Sequence, residues 1–216
     1  MYRKDQTSKS TIMRLPLYYR VLSNLARFGE TKASSDQLGE ILQIDSTQVR
    51  RDLSSIGEFG KAGVGYEISA ILPVLEDILG YKNTTRSVIV GIGRLGSALF
   101  SYSGFERYGM KIVSLFDTDP RKVGTKINGL TVFDISEMTC VVKQLNIHMG
   151  IITVPPPSAQ FVANVMVEAG IVAIWNFAPI HLRVPDNVIV RYEDLAVGLT
   201  HLSRHLASIR NLENPE

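Results

Sequence analysis

Three glycines in Gly91-Ile92-Gly93-Arg94-Leu95-Gly96 follow directly on the apolar run Ser87-Val88-Ile89-Val90. Glycine at this spacing suits a pyrophosphate. The first permits a tight turn, the second lets the backbone approach the phosphates, and the third allows a helix to pack closely on the strand before it. The N-terminus of that helix then faces the anionic charge. A further apolar run, 111–116, ends in Asp117, about 20 residues beyond the last glycine, where a carboxylate accepts hydrogen bonds from an adenosine ribose and disfavours a 2′-phosphate. The pattern points to NAD+ and NADH as cofactors over NADP(H). Arg94, Arg121 and Lys122 pull the other way, because neighbouring cations accommodate a 2′-phosphate. Thr153-Val154-Pro155 lies just past the end of another strand-forming run, where ligands bind in such sheets.

A second group has a different chemistry. Ser46, Thr47, Gln48, Arg50, Arg51 and Ser54 gather hydrogen-bonding and cationic side chains on one stripe of a helical pattern, opposite Val49, Leu53 and Ile56. Arginine pairs bidentately with guanine, glutamine with adenine, and serine or threonine reaches phosphates or bases. Alone, such a stripe also suits a solvated helix surface. Its neighbours favour DNA: Gly57-Glu-Phe-Gly60-Lys61-Ala-Gly63-Val-Gly65-Tyr66 reads as a glycine-rich hairpin with Lys61 near its tip, the wing of a winged helix.

Both groups need elements to hold them. Leu15, Tyr18, Tyr19, Leu22 and Leu25 recur at helical spacing, with Pro16 in the first turn, where proline is tolerated. Ser34-Ser35-Asp36-Gln37 caps a short second helix, and Asp45 or Ser46 opens the third, giving a helix-turn-helix. A further helix runs over 69–79, with Pro73 limiting where its first turn lies, and a polar join follows at 80–85. Beyond it, strands at 87–90, 111–116, 148–154, 171–176 and 188–191 alternate with helices at 94–102, 135–145 and 158–168, a doubly wound parallel sheet. Leu195, Leu199, Leu202, Leu206 and Ile209 then form a heptad seam on a final helix, suited to a partner helix or to the core.

Composition narrows the classes. The chain has 216 residues and a net charge of only +2, so any nucleic-acid site must be local. There is no membrane-length apolar segment or signal pattern, which implies a cytoplasmic protein with no membrane partner. The lone Cys140 has no partner at ligand spacing and is expected to be a buried structural thiol. His148, His181, His201 and His205 are expected in structural or surface roles, leaving no metal site.

A dehydrogenase would need a proton-transfer residue and a substrate-orienting region. Little chain remains after Asn176 to supply them. A small NAD-dependent oxidoreductase and a DNA-binding protein with an inert nucleotide-type scaffold stay open as alternatives to a sensor.

Leu15-Pro-Leu-Tyr-Tyr-Arg20, Val49-Arg-Arg-Asp-Leu53, Gly57-Glu-Phe-Gly-Lys61, Gly63-Val-Gly-Tyr66, the glycine motif, Phe116-Asp117, Asn176-Phe-Ala-Pro179 and Asp194-Leu195 together resemble the Rex family of redox-sensing transcriptional repressors. The resemblance spans nearly the whole chain. It implies an α/β architecture with a winged-helix DNA-binding domain (1–82), a Rossmann NAD(H)-binding domain (83–192) and a C-terminal dimerisation helix (193–216) exchanged between subunits. It further implies a homodimer, not an enzyme, that binds palindromic double-stranded operator DNA and senses the NADH/NAD+ ratio, regulating fermentative, anaerobic and respiratory metabolism. Tyr102 would lie near the nicotinamide, with Asn176 and Phe177 beside the cofactor. An apolar pocket near Tyr102, Val154, Pro155 and Phe177 would penalise the cationic oxidised ring through desolvation and favour NADH. By the same resemblance, Asp194 from the partner's helix pairs with Arg20 in one state and Tyr102 in the other. Two departures stand out: Ser55-Ile56 where the family often has Tyr-Phe, and Ala62 in place of a frequent wing arginine. They are expected to alter recognition-helix packing and operator preference.

Overall fold

The chain divides into Met1–Asn83 and Thr84–Glu216; among the described residues the first holds four helices and a three-stranded sheet, and the second a seven-stranded sheet with its helices. The computed structural model describes residues 7–61, 65–194, 196, 199–200, 202–204 and 206.

In the first unit, α1 (Lys9–Arg27) starts at Ser8, whose hydroxyl accepts from Thr11 N–H at 3.0 Å. Pro16 therefore sits inside the helix, not in its first turn. Its missing N–H forgoes one intrahelical bond, a cost offset by the burial of Leu15, Tyr18 and Leu22 around it. Pro73 is likewise inside α4 (Ile68–Ile78). Between them, α2 (Ser35–Leu42) is capped by the Ser34 hydroxyl, and α3 (Ser46–Ile56) by Asp45, which accepts from Thr47 and Gln48 N–H groups. Leu38, Val49, Leu53, Ile56, Ile68, Ile71 and Leu75 close the core. The hairpin strands β2 (Gly60–Lys61) and β3 (Gly65–Glu67) pair antiparallel, and β1 (Lys32–Ala33), unforeseen from the sequence, adds to β3. Ala62 and Gly63, with the wing tip, lie outside the described residues.

One polar cluster ties the helices together. The Asp52 carboxylate, 1% exposed, accepts from Arg14 Nε at 2.6 Å and Nη2 at 2.8 Å, Tyr18 OH at 2.7 Å, Gln48 Nε2 at 2.8 Å and Thr11 Oγ1 at 3.0 Å. Burial works to raise its carboxyl pKa, but the donors, Arg14 foremost, outweigh burial and hold it at about 2 against an ordinary 3.8. Because the folded value is depressed, the stabilisation is complete above the ordinary value and lost as pH falls through the folded one. Between pH 5 and pH 2 this unit should lose about 2 kcal/mol from Asp52. Urea unfolding at the two pH values checks this, and Asp52→Asn should flatten that component of the pH dependence.

In the second unit, β4 (Thr85–Val90), β5 (Met110–Asp117), β7 (Leu130–Asp134), β8 (Met149–Ile152), β9 (Ala173–Asn176) and β10 (Ile189–Tyr192) pair parallel, with β6 (Lys126–Ile127) antiparallel at the edge. The order is β10-β9-β8-β4-β5-β7-β6. The chain thus grows outward from β4 in one direction and then resumes on β4's other side at β8. Against one face, α6 (Met138–Leu145) and α7 (Pro156–Glu168) bury Val88, Val90, Phe116 and Ile152. Against the other, Ile89, Leu115 and Ile151 meet Leu99 and Phe100 of α5 (Arg94–Ser101). Cys140 is exposed, correcting the expectation of a buried thiol. Met138, Val141 and Val142 take the core-facing stripe of α6, which turns Cys140 outward.

Helix resumes in the final segment at 196, 199–200, 202–204 and 206. Leu199, Leu202 and Leu206 are exposed in this single chain. Leu195, His201, His205 and Ile209 lie outside the described residues.

Candidate functional site

The reversal of strand order at β4 and β8 opens a crevice beyond their C-terminal ends, the place where ligands bind in open parallel sheets. The glycine motif forms its floor. Gly91 has φ of +96°, and a Cβ there would come within 2.6 Å of Val154 Cγ1 and 2.9 Å of the Thr153 carbonyl group. A Cβ on Gly96 would collide with the Gly91 carbonyl oxygen and crowd Thr153 Oγ1 at 2.9 Å. The loop is pinned from the β8 side: the Thr153 hydroxyl lies 3.0 Å from the Val90 carbonyl oxygen and 2.7 Å from that of Gly91.

Gly93 behaves differently. It is the N-cap of α5, and a Cβ there would meet nothing within 4 Å. Open space therefore lies in front of the loop, next to the first-turn N–H groups of Arg94, Leu95 and Gly96, which have no side-chain cap. A pyrophosphate fits this cradle, and Arg94 is exposed beside it. α7 also begins at the crevice, but Pro156 and Pro157 occupy its first turn and carry no N–H. Of these two helix starts, α5 is the one that offers backbone donors throughout its first turn.

Asp117, at the end of β5, is 7% exposed and holds four donors. Ile92 N–H and Lys122 Nζ each reach Oδ2 at 2.8 Å, while Thr118 and Asp119 N–H groups reach Oδ1 at 2.8 and 2.9 Å. Burial raises its carboxyl pKa, yet Lys122 and the backbone donors more than compensate and leave it below the usual range. A carboxylate offers about four lone-pair positions, so Asp117 first of all fastens the glycine loop to β5. Val90, Gly91, Gly93, Asp117, Thr118, Lys122, Thr153, Val154, Pro155, Ser158, Phe161 and Val162 line a cavity of about 290 Å³.

Tyr102 is not among them. It is 57% exposed and lines a separate hollow of about 370 Å³ with Phe105, Met110 and Leu130. An aromatic row connects it to Phe177: Tyr102 meets Phe105 edge-on at 4.9 Å between ring centroids, Phe105 meets Trp175 at 5.7 Å, and Trp175 meets Phe177 at 4.6 Å. Tyr102 and Phe177 thus lie outside the cavity that Val154 and Pro155 line. Asn176 is fully buried; its amide group accepts from Ala178 N–H at 3.0 Å and donates to the Ala178 and Ile180 carbonyl oxygens, holding the turn after β9. Asp194 is exposed and accepts from Ala196 N–H at 2.8 Å. Arg20 is exposed on α1, in the other unit.

On α3, Thr47, Arg50, Arg51 and Ser54 are exposed, and Ser46 and Gln48 half-buried. Gln48 is committed to Asp52, and Arg50 folds back on Ser46, 3.0 Å from its hydroxyl, with Asp36 3.7 Å away. Arg51 and Ser54 carry no side-chain hydrogen bond among the described residues, which leaves Arg51 as the cation of α3 most ready for a new partner. The Ser55 hydroxyl donates to the Asp52 carbonyl oxygen, and Ile56 is in the core, so both departures pack inward. Lys61 pairs through its backbone with Gly65 in the wing.

Sequence reasoning missed Asp52, Ser158 and Phe161, and took Lys122 only as a cation near the ribose. Asp52 had one usable sign: it follows Val49 by three positions and so falls on the buried stripe.

Residues 82–180 match a family model described as a CoA binding domain, and residues 6–54 one described as a putative DNA-binding protein N-terminus. The redox-sensing transcriptional repressor Rex of Chloroflexus aurantiacus is 44% identical over 96% of this chain and 98% of its own. That of Carboxydothermus hydrogenoformans is 47% identical over 90% and 94%. Among solved structures, RSP, a Rex-family repressor, matches in complex with β-NAD+ and operator DNA, with a TM-score of 0.85, 36% identity and 97% coverage of both chains. Its β-NADH complex matches with a TM-score of 0.86 at 34% identity, covering 97% of this chain and 98% of that one.

Proposed function

The chain belongs to the Rex family of redox-sensing transcriptional repressors, and from that premise we propose that it binds palindromic operator DNA, is released by NADH, and so follows the NADH/NAD+ ratio. Its role is regulatory, not catalytic. The observation that carries the reading is the joining of an exposed recognition stripe on α3 to a parallel sheet whose glycine loop leaves a phosphate-sized opening before α5.

DNA reading falls to 1–82, with Thr47, Arg51 and Ser54 directed at the duplex, Arg50 and Gln48 after release from their own helix contacts, and Ser46 and Lys61 at the backbone. Nucleotide sensing falls to 83–192, and pairing of two chains to 193–216, where the exposed Leu199, Leu202 and Leu206 supply an apolar stripe for a second copy. A palindromic site requires such two-fold symmetry. No helix among the described residues is long and apolar enough to cross a membrane. A repressor acting on DNA would, on this reading, work in the cytoplasm.

A ligand releases DNA only if it binds the released arrangement more tightly than the DNA-bound one. The two redox states differ at the nicotinamide, cationic when oxidised and neutral when reduced. The Tyr102–Phe177 row is aromatic and partly exposed, so a ring seated on it loses water, which costs the cation more than the neutral ring. Tyr102 passes occupancy to Asp194 of the second subunit, which pairs with Arg20 in one state and with Tyr102 in the other, turning the winged helices. Tyr102→Phe and Asp194→Ala should each blunt NADH-induced release while leaving DNA binding without nucleotide intact.

Arg51→Ala should weaken operator binding by about 1–3 kcal/mol, roughly fivefold to 150-fold, and Arg50→Ala by less, since Arg50 must first leave Ser46 and Asp36. Filter binding at fixed salt ranks them. The functional reading itself is tested by gel shift: retardation of a palindromic duplex with NAD+ and its loss with NADH support it. Hydride turnover with a small substrate and no duplex binding would overturn it.

A further inference from the structure

The aromatic row ends on a ring whose place is set by a residue with no side chain. Tyr102 closes α5 and leads into the short 3₁₀ helix Ser103–Tyr108, and its ring folds back over Gly104, which is buried although Tyr102 itself is exposed. A Cβ on Gly104 would collide with that ring: the three atoms nearest to it are Cζ, Cε1 and the hydroxyl oxygen of Tyr102. The backbone does not ask for glycine here, because Gly104 has no positive φ and lies in a helical turn open to any residue. The tyrosine hydroxyl makes no hydrogen bond to a described residue, so the ring is held by packing, edge-on to Phe105 at 4.9 Å. What a methyl at Gly104 would move is therefore the free end of an exposed side chain, not the fold.

We propose that Gly104 is a positioning residue for the nucleotide response: by leaving room for the Tyr102 ring it completes the row Tyr102–Phe105–Trp175–Phe177, and so sets how strongly the chain prefers NADH to NAD+. The inference rests on the reading of this row as the seat of the nicotinamide in an NADH-released repressor. Displaced by a methyl, the Tyr102 ring swings off Phe105 and opens the end of the row to water. The neutral nicotinamide then loses an aromatic contact, while the cationic one regains hydration that offsets the same loss. The preference narrows from the NADH side. The recognition stripe on α3 belongs to the other unit and keeps its own contacts.

The test compares full-length Gly104→Ala, Tyr102→Ala and the double variant with the parent chain, by NADH and NAD+ titration, by emission of Trp175, the sole tryptophan, and by anisotropy of a labelled palindromic duplex. Gly104→Ala should melt no lower than the parent, since alanine suits a helical backbone and the part that yields is a flexible ring. It should bind NADH about three- to tenfold more weakly, the worth of one edge-on aromatic contact, with NAD+ affinity nearly unchanged and correspondingly more NADH needed for release. Its Trp175 emission without nucleotide should differ from the parent's. On the Tyr102→Ala background, Gly104→Ala should add nothing to any of these. An unchanged nucleotide preference in Gly104→Ala, a lower melting midpoint, or an equal effect in the absence of the Tyr102 ring would each overturn the proposal. If neither nucleotide moved the duplex while Gly104→Ala still acted on Trp175 through Tyr102, the functional reading would fall and the placement of Tyr102 by Gly104 would stand.

Discussion

Asp52→Ala should unfold the DNA-binding unit at temperatures where the nucleotide unit stays intact. The substitution strands the Arg14 guanidinium, the Tyr18 hydroxyl, the Gln48 amide and the Thr11 hydroxyl, all of which now donate to one carboxylate. Removing one partner of a buried pair costs about 3–5 kcal/mol. Arg14 is 26% exposed and recovers some hydration, so the lower end, about 3 kcal/mol, is expected. For a unit of this size that lowers the melting midpoint by roughly 10–20 °C. Calorimetry should show one transition moved down and one unmoved, with operator binding lost and NADH binding kept. Asp52→Leu combined with Arg14→Met should restore much of the stability, because an apolar pair leaves no stranded charge.

Gly93→Ala should have the opposite profile. The backbone at Gly93 has φ of −87°, open to any residue, and the added methyl meets nothing in the protein, so stability should be unchanged. That same methyl occupies the opening before the first turn of α5. NADH affinity should fall by at least about tenfold, 1.4 kcal/mol. The variant should hold its operator normally and stay on it at NADH concentrations that release the parent chain. Gly96→Ala is the contrast: its methyl would strike the Gly91 carbonyl oxygen, so folding and binding should fall together. Thermal melts and NADH fluorescence titrations separate the two cases.

Much of this architecture was legible in the sequence, for identifiable reasons. The strands at β4, β5 and β8 are apolar runs ending in glycine, aspartate or proline, and α2 and α3 begin at Ser34 and Asp45. Those are local signals, written in neighbouring residues. Elements with little local pattern escaped: β1 is two residues long, and β6 and β7 form a short hairpin beside a parallel edge. Pro16 misled because local rules place proline in a first turn, whereas tertiary burial holds it inside α1.

The site divides in the same way. Gly91 and Gly96 were legible because backbone geometry and close packing demand glycine there, and Gly93 because the motif keeps the approach to α5 open. What Asp117 does was only half legible: its place at the strand end is a spacing, but its engagement by Ile92 and Lys122 depends on contacts across the loop. Asn176 looked like a cofactor contact from its motif, yet its buried amide is taken up by the turn it stabilises. Asp52 showed in the sequence as a buried-stripe position but not as an anchor, because its partners on α1 sit 34 to 41 positions away.

The central claim is that the chain senses a ratio. Fluorescence anisotropy of the repressor bound to a labelled palindromic duplex, titrated with NADH at several fixed NAD+ concentrations, tests it most directly. The account predicts that NAD+ alone leaves the complex intact and that the NADH midpoint rises in proportion to NAD+ once the site is saturated. A midpoint indifferent to NAD+, or release by NAD+ itself, would contradict it.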